Sequence, residues 1–501
     1  MNELNERILV VILWTVYSSY YLAITTTTST TLMAMMNMRA IVYDRHGQPV
    51  WADPQLPRPT LSQQSSSSWF PRGLVFWRNN SHASYEQQLV IRVTAVGVNP
   101  VDAKGVIGDK IPHSWTKTQA FFKRSGITNR IIGFDFSGVV VEVDNSNNTN
   151  DSSFQVGDTV CGILPPSRYK GTMTEYLQIS SRQVCRIDNR NPNNTNHLDE
   201  SSWMQQYAAL PLVGITCLQC LQGAGWGQTQ TTNSNNNNNN TTIPTLLVLG
   251  ASGGTGHMAI QIGRAMMMTM NNTNSDDNSN PDNQQQEPSY TTPFKIVAVC
   301  SERNRDMVQD LMTDNKKSIT STTSNNEHSY YQHVVLDYRS PDFVQALERE
   351  GPYSVIMDCV SSGDPRDQAD TNYQELLLLS SSSSRFVKDN HYEYRRLGGT
   401  FTDWMRAGCE RVTGISMWKN PHAKLFWIQM HDTAPLLQQL VAWIKNGHIR
   451  GPLVSQTCGF SPQGVQQAFD ALNSRRAVGK VVVALSTDTK EDEEENDKKN
   501  D

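Results

Sequence analysis

The chain has 501 residues, enough for about two or three ordinary domains. Hydrophobic residues make up 38% and charged residues 18%, both diluted by Asn-, Ser-, Thr- and Gln-rich tracts, so a core has to lie between those tracts. The net charge of −5 excludes a general attraction to nucleic acid or anionic lipid.

The chain opens with an apolar run, Ile8–Tyr17, that extends to Ile24 and suits a signal-peptide core or a marginal membrane anchor. Its flank, Met1–Arg7, has two acids and one base, the wrong balance for a signal peptide, and it is no Arg-rich, acid-free transit sequence. A start at Met33, Met35, Met36 or Met38 fits equally well, and these readings stay open. Next come short β-branched runs ended by Gly, Asn or Pro, which predict strands at Arg39–Tyr43, Gln88–Val96, Ile131–Val143 and Asp158–Ile163. The second part alternates: strand Thr245–Leu249, a helix from Gly256, strand Lys295–Val299, a helix from Arg303, strand Val334–Leu336, a helix from Pro341 and strand Ser354–Asp358. That alternation predicts βαβ units and a parallel sheet. The segment Pro452–Leu485 closes with a strand at Lys480–Leu485.

The tracts Asn145–Ser153, Asn189–Asn196, Thr229–Thr242, Asn271–Thr292, Ser318–His328 and Ser361–Ser384 are too polar to bury a face and predict surface-loop insertions. The mixed-charge tail Lys490–Asp501 predicts a solvated, disordered end. Eight scattered cysteines give no disulfide framework, which fits a reducing compartment. Cys217 and Cys220 form a C-x-x-C inside the apolar run Leu212–Leu221, where buried helix thiols explain them better than a redox or metal pair.

The strongest local motif is Leu246–Ile260, an apolar strand running into Gly250, Gly253 and Gly256 and then into a helix. In that context the glycines have distinct uses: Gly250 for the tight turn, Gly253 for close approach of a pyrophosphate, Gly256 for helix–strand packing. The helix N-terminus would present free N–H groups to the phosphates. The spacing is G-x-x-G-x-x-G rather than G-x-G-x-x-G. The next strand runs into Cys300, Ser301, Glu302 and Arg303. Ser301 can donate to a phosphate and Arg303 can fork onto it, which favours a 2′-phosphate and hence NADPH. Glu302 is the competing reading: as a ribose acid it would favour NAD.

Ordered blocks from Met38 to Leu485 then resemble the quinone-oxidoreductase branch of the medium-chain dehydrogenase/reductase superfamily. They are Met38–Ala40, Gly97–Asp102, Ile132–Gly138, Val156–Val160, Gly171–Glu175, Ala208–Pro211, Gly250–Gly256, Val335–Tyr338, Met357–Val360, Leu397–Gly399 and Gly479–Val482. The resemblance implies an α/β fold: a GroES-like β-barrel catalytic domain plus a Rossmann doubly wound parallel sheet, with NADPH in the cleft between them. It divides the chain into an N-terminal extension (1–36), the GroES-like domain (37–203), the Rossmann domain with its polar insertions (204–448), a return to the catalytic domain (449–486) and a tail (487–501). Carried over residue by residue, it implies cofactor contacts from Ser252, Gly253, Gly254 and Thr255 at the pyrophosphate, with Ser301 and Tyr338 flanking the adenosine 2′-phosphate. Lys480 lies in the closing Gly-Lys strand, where a phosphate contact and a salt bridge both stay open. A likeness to a mitochondrial member implies that compartment, and a homodimer stays open.

Zinc members of this superfamily carry a catalytic Cys where this chain has Asn99, and a Gly-His-Glu where it has Gly133, Phe134 and Asp135. Phe134 cannot ligate a metal, so the expectation is a zinc-free enzyme. Hydride chemistry without a Lewis acid suits a small-molecule electron acceptor such as a quinone or an activated enone. Asn99 could hydrogen-bond a substrate carbonyl, and Asp102 could take part or merely cap the following helix. Two alternatives accompany this reading: an enoyl-thioester reductase, disfavoured because Ala103–Lys110 has no Tyr, and a cofactor-binding scaffold with little turnover.

Overall fold

The computed structural model describes residues 37–44, 48–53, 55–61, 87–103, 130–144, 154–165, 171–187, 200–227, 243–273, 293–313, 331–361, 372–378, 383–387 and 392–485. The apolar N-terminal run, the charged tail and most of the polar tracts lie outside the described residues.

Two short antiparallel pairs come first, β1 (Asn37–Met38) with β4 (Leu56–Pro57) and β2 (Ile41–Tyr43) with β3 (Pro49–Trp51). The first large sheet is built on β5 (Gln88–Val98), an 11-residue strand buried along most of its length. One edge of β5 pairs antiparallel with β6 (Asp135–Val143), which continues to β7 (Thr159–Ile163) and β9 (Val184–Arg186). Its other edge is shared between β8 (Tyr176–Ser180), along Gln88–Arg92, and β17 (Lys480–Ala484), along Ala95–Val98. Strand β16 (Val454–Gly459) lies parallel to β17 at the end of the path. The last described strand is therefore seated beside the loop that follows β5. The predicted strand from Ile131 begins only at Asp135, because Gly133 (φ +99°) turns the backbone and leaves Ile131 in an isolated bridge to Val42.

The second sheet consists of β10 (Thr245–Leu249), β11 (Phe294–Cys300), β12 (Tyr331–Asp337), β13 (Val355–Asp358), β14 (Glu393–Arg396) and β15 (Ala423–Leu425). Its order is β12-β11-β10-β13-β14-β15 and every pair is parallel. Among the described strands that is the doubly wound order, with the switch point at β10, where ligands bind outside the carboxyl ends. Strands β10 and β13 are buried throughout, since helices cover both faces. The apolar run at Leu212 forms helix α2 (Pro211–Gly223), with Cys217 and Cys220 fully buried in it. Helix α3 (Gly256–Thr273) starts where the sequence predicts.

One predicted insertion is corrected. Within Ser361–Ser384, Tyr373–Leu378 is a helix that buries Tyr373 and Leu377 beside Phe343. The two residues stand four apart, so a single turn puts both on one face despite the serines around it.

Candidate active site

Strand β10 delivers Gly250 at φ +78°, and the turn that follows is built on three differently constrained glycines. A Cβ on Gly256 would stand 2.1 Å from the Gly250 carbonyl oxygen, so the helix can pack this closely only on glycine. A Cβ on Gly253 would meet nothing nearer than that same oxygen at 3.4 Å. Gly253 therefore keeps open a space that none of the described residues fills. A Cβ on Gly254 would touch the Gly479 carbonyl oxygen at 3.1 Å and Lys480 Cδ at 3.2 Å. The N–H groups of Ser252 and Thr255 donate to none of the described residues, while the bridge between Gly253 and Gly479 sets the Gly254 N–H against the Gly479 carbonyl. Orphan donors at the start of an 18-residue helix, over an open face, fit the pyrophosphate of a dinucleotide.

The turn is tied to the closing strand: Gly479 N–H donates to the Ser252 carbonyl at 2.9 Å, and Gly253 bridges Gly479. Ser252 Oγ accepts from Asn304 Nδ2 at 3.0 Å. The parallel register of β11 and β12 sets Cys300 opposite Asp337 and so brings Ser301 and Tyr338 to adjacent strand ends. Ser301 is buried, its hydroxyl caps no helix N–H, and Tyr338 is 39% exposed. Arg303 is exposed, with a long contact of 3.5 Å to the Arg476 carbonyl. Glu302 turns outward and pairs with Arg305 at 2.8 Å.

Between the two sheets lies a buried polar cluster that sequence reasoning saw only in part. Asn99 and Asp102 are each 1% exposed. At the start of helix α1 (Pro100–Ala103), Asn99 N–H donates to Asp102 Oδ2 at 2.8 Å and Asp102 N–H to the Asn99 carbonyl at 2.9 Å. This reciprocal cap is the structural role weighed for Asp102. Both ends of the Asn99 carboxamide are occupied: Nδ2 donates to Asp135 Oδ2 at 2.9 Å and to the Gly97 carbonyl at 3.2 Å, and Oδ1 accepts from Lys480 Nζ at 2.5 Å. Lys480 also donates to the Val98 carbonyl at 3.2 Å and faces Asp135 at 3.6 Å. Of the two roles open to Lys480, the ammonium in this geometry takes the salt bridge, while its stem forms the floor beneath Gly254. Asp135 further accepts from Leu212 N–H at 2.8 Å, anchoring the start of α2.

Burial pushes the Asp102 carboxyl up to about 7, against the Asn99 N–H that favours its charged form. Burial likewise raises Asp135 and lowers Lys480, and each opposes the shift of the other. Among the described residues Asp102 Oδ1 has no hydrogen-bond partner, so nothing at that oxygen offsets the burial that raises the carboxyl. Asp135 was missed as the partner of Asn99 and Lys480; the available signal was a lone acid inside the apolar block Ile132–Gly138. Phe134 is buried with the Arg130 guanidinium 5.5 Å from its ring centroid, and among the described residues no three His, Cys, Asp or Glu side chains gather into a metal-holding group. Phe134 has no donor atom and the Asn99 carboxamide is engaged at both ends, so these two side chains offer a zinc ion no ligand.

A family model described as Alcohol dehydrogenase GroES-like domain matches residues 85–189, and one described as Zinc-binding dehydrogenase matches residues 331–483. The chain belongs to the medium-chain dehydrogenase/reductase superfamily. Its similar proteins within that superfamily include the human "NAD(P)H oxidoreductase RTN4IP1, mitochondrial", 24% identical over 412 residues, which cover 80% of this chain and 82% of the relative. Trans-enoyl reductase pgmF of Aspergillus terreus is 23% identical over 411 residues, 79% of this chain and 86% of the relative. The solved quinone oxidoreductase from Coxiella burnetii superposes with a TM-score of 0.52 at 19% identity, over 90% of this chain and 100% of that one, a likeness of fold.

Proposed function

We propose that the chain is an NADPH-dependent, zinc-independent oxidoreductase that reduces a quinone or an activated enone. The observation that carries this reading is the glycine turn: an open face at Gly253, orphan N–H groups around it and a helix N-terminus behind it. Gly250, Ser252, Gly253, Gly254, Thr255 and Gly256 would hold the pyrophosphate, and Ser301, Arg303 and Tyr338 the adenosine 2′-phosphate. When bound, NADPH supplies the hydride. Ser301, buried at the strand end, offers a hydroxyl to a phosphate oxygen, and Arg303 offers an exposed guanidinium. Glu302, the acid that would favour NAD, is engaged by Arg305 instead.

Asn99, Asp102, Asp135 and Lys480 act in this reading as positioning residues. They clamp the loop after β5 to the closing strand and so hold the catalytic sheet against the glycine turn. The domain limits 37–203, 204–448 and 449–486 follow from the same reading, because β17 returns to pair with β5. The names of the relatives support a mitochondrial setting.

The test is NADPH oxidation by the purified full chain with a panel of quinones, enones and enoyl thioesters, beside titrations with NADPH and NADH. Turnover of a quinone or enone with NADPH, unchanged by a chelator, is the expected result. Exclusive turnover of enoyl thioesters would move the reading to the activity that the name of the Aspergillus relative states. Tight NADPH binding with no turnover of any acceptor would leave a cofactor-binding scaffold.

A further inference from the structure

His257 is the second residue of α3, fully buried, and belongs to none of the groups assigned above. Its ring is held at both nitrogens. Leu453 N–H donates to Nε2 at 3.0 Å, so that nitrogen carries no proton. The proton therefore sits on Nδ1, which donates to the Gly253 carbonyl at 2.9 Å. The same carbonyl accepts the His257 backbone N–H at 3.0 Å, so one residue grips it twice. Burial lowers the imidazole to about 4, which keeps it neutral and this wiring intact at ordinary pH.

The Gly253 carbonyl and the Gly254 N–H belong to one rigid peptide plane and point in opposite directions. Pulling the carbonyl into the helix therefore turns the Gly254 N–H the other way, toward the Gly479 carbonyl that the bridge between Gly253 and Gly479 sets beside it, and leaves the Gly253 face open. We propose that His257 is a positioning residue for the cofactor: its Nδ1–H holds the Gly253–Gly254 peptide in the orientation that closes the bridge to Gly479 and keeps the open Gly253 face toward a nucleotide phosphate, while Nε2 latches the turn to Leu453. This rests on the NADPH reading given above. The latch continues into the closing strand. Leu453 accepts the Lys480 N–H at 2.8 Å, and Gln261, one turn along α3, donates to the Gly451 carbonyl at 3.2 Å and accepts Arg450 N–H at 2.8 Å.

The two bonds can be separated by side-chain length. In His257→Asn the short carboxamide can donate where Nδ1–H stood but cannot reach Leu453. In His257→Gln the longer one can accept from Leu453 but no longer serves Gly253. His257→Leu keeps neither. NADPH affinity is read by nucleotide fluorescence and stability by the thermal midpoint, both on the full chain. The expected affinity order is wild type and Asn within about threefold of each other, with Gln and Leu weaker by about tenfold, the loss of one hydrogen bond. The expected stability order differs, with Gln above Asn. Affinity that simply follows the thermal midpoint, or three variants that bind NADPH as wild type does, would overturn the inference alone. A wild-type chain that binds no nucleotide would overturn the cofactor reading and this inference with it.

Discussion

Replacing Gly256 by alanine is the sharpest perturbation that the turn permits. The new Cβ would lie 2.1 Å from the Gly250 carbonyl oxygen, 2.7 Å from its carbon and 2.8 Å from Ala251 Cα. All three are backbone atoms, so no flexible side chain can swing aside and α3 has to lift from β10. Overpacking a close-packed interior costs about 1–3 kcal/mol, and a clash with backbone alone belongs at the upper end. At about 2–4 °C per kcal/mol for a domain of this size, the thermal midpoint should fall by about 6–12 °C. Gly253→Ala is the control. Its Cβ would meet one atom at an ordinary 3.4 Å, so the midpoint should move by less than about 2 °C. On the proposed reading, however, the added carbon enters the space of the pyrophosphate, so NADPH affinity should fall at least about tenfold, and further with valine. Thermal unfolding and a fluorescence titration on both variants decide the matter. A Gly256→Ala protein with the wild-type midpoint would refute the packing argument, and a folded Gly253→Val protein with normal NADPH binding would refute the phosphate cradle.

Further expectations follow from the other groups. Lys480→Met leaves Asp135 as an uncompensated buried charge and should cost about 3–5 kcal/mol; adding Asp135→Asn should recover part of it in a double-mutant cycle, and strict additivity in denaturant titrations would count against the pair. For Asp102 the folded pKa of about 7 lies above the unfolded value of 3.8, so its contribution to stability is complete below pH 3.8 and is lost as pH rises toward 7. Asp102→Asn should flatten that part of the midpoint-versus-pH curve, and an unchanged slope would show that the carboxyl stays ionised. Arg303→Ala should reduce the preference for NADPH over NADH by about tenfold, the effect of losing one charge-assisted contact; equal losses for both nucleotides would place Arg303 elsewhere. Chelation should leave activity intact, and stoichiometric zinc lost together with activity would reverse the assignment at Asn99 and Phe134.

Local rules made the nucleotide-binding half legible. Strand β10 and the start of α3 are found at the predicted residues, because an apolar run, a glycine turn and a helical period act over a few neighbours at a time. Strands β14 and β15 escaped notice for the same reason. Their sequences, EYRR and AKL, carry no apolar run, and they are strands because β13 offers a parallel edge. The sequence by itself determined the alternation of strands and helices from β10 to β13 and the glycine turn. Only the tertiary structure decided what Asn99, Asp135, His257 and Lys480 do. Their partners lie 36 residues away for Asn99 with Asp135, 196 for His257 with Leu453 and 381 for Lys480 with Asn99. A polar side chain has the same local signature whether it faces a phosphate, a substrate or a buried ion pair. What distinguishes these is desolvation, and desolvation is set by the strands and helices that folding brings around the side chain from distant parts of the chain.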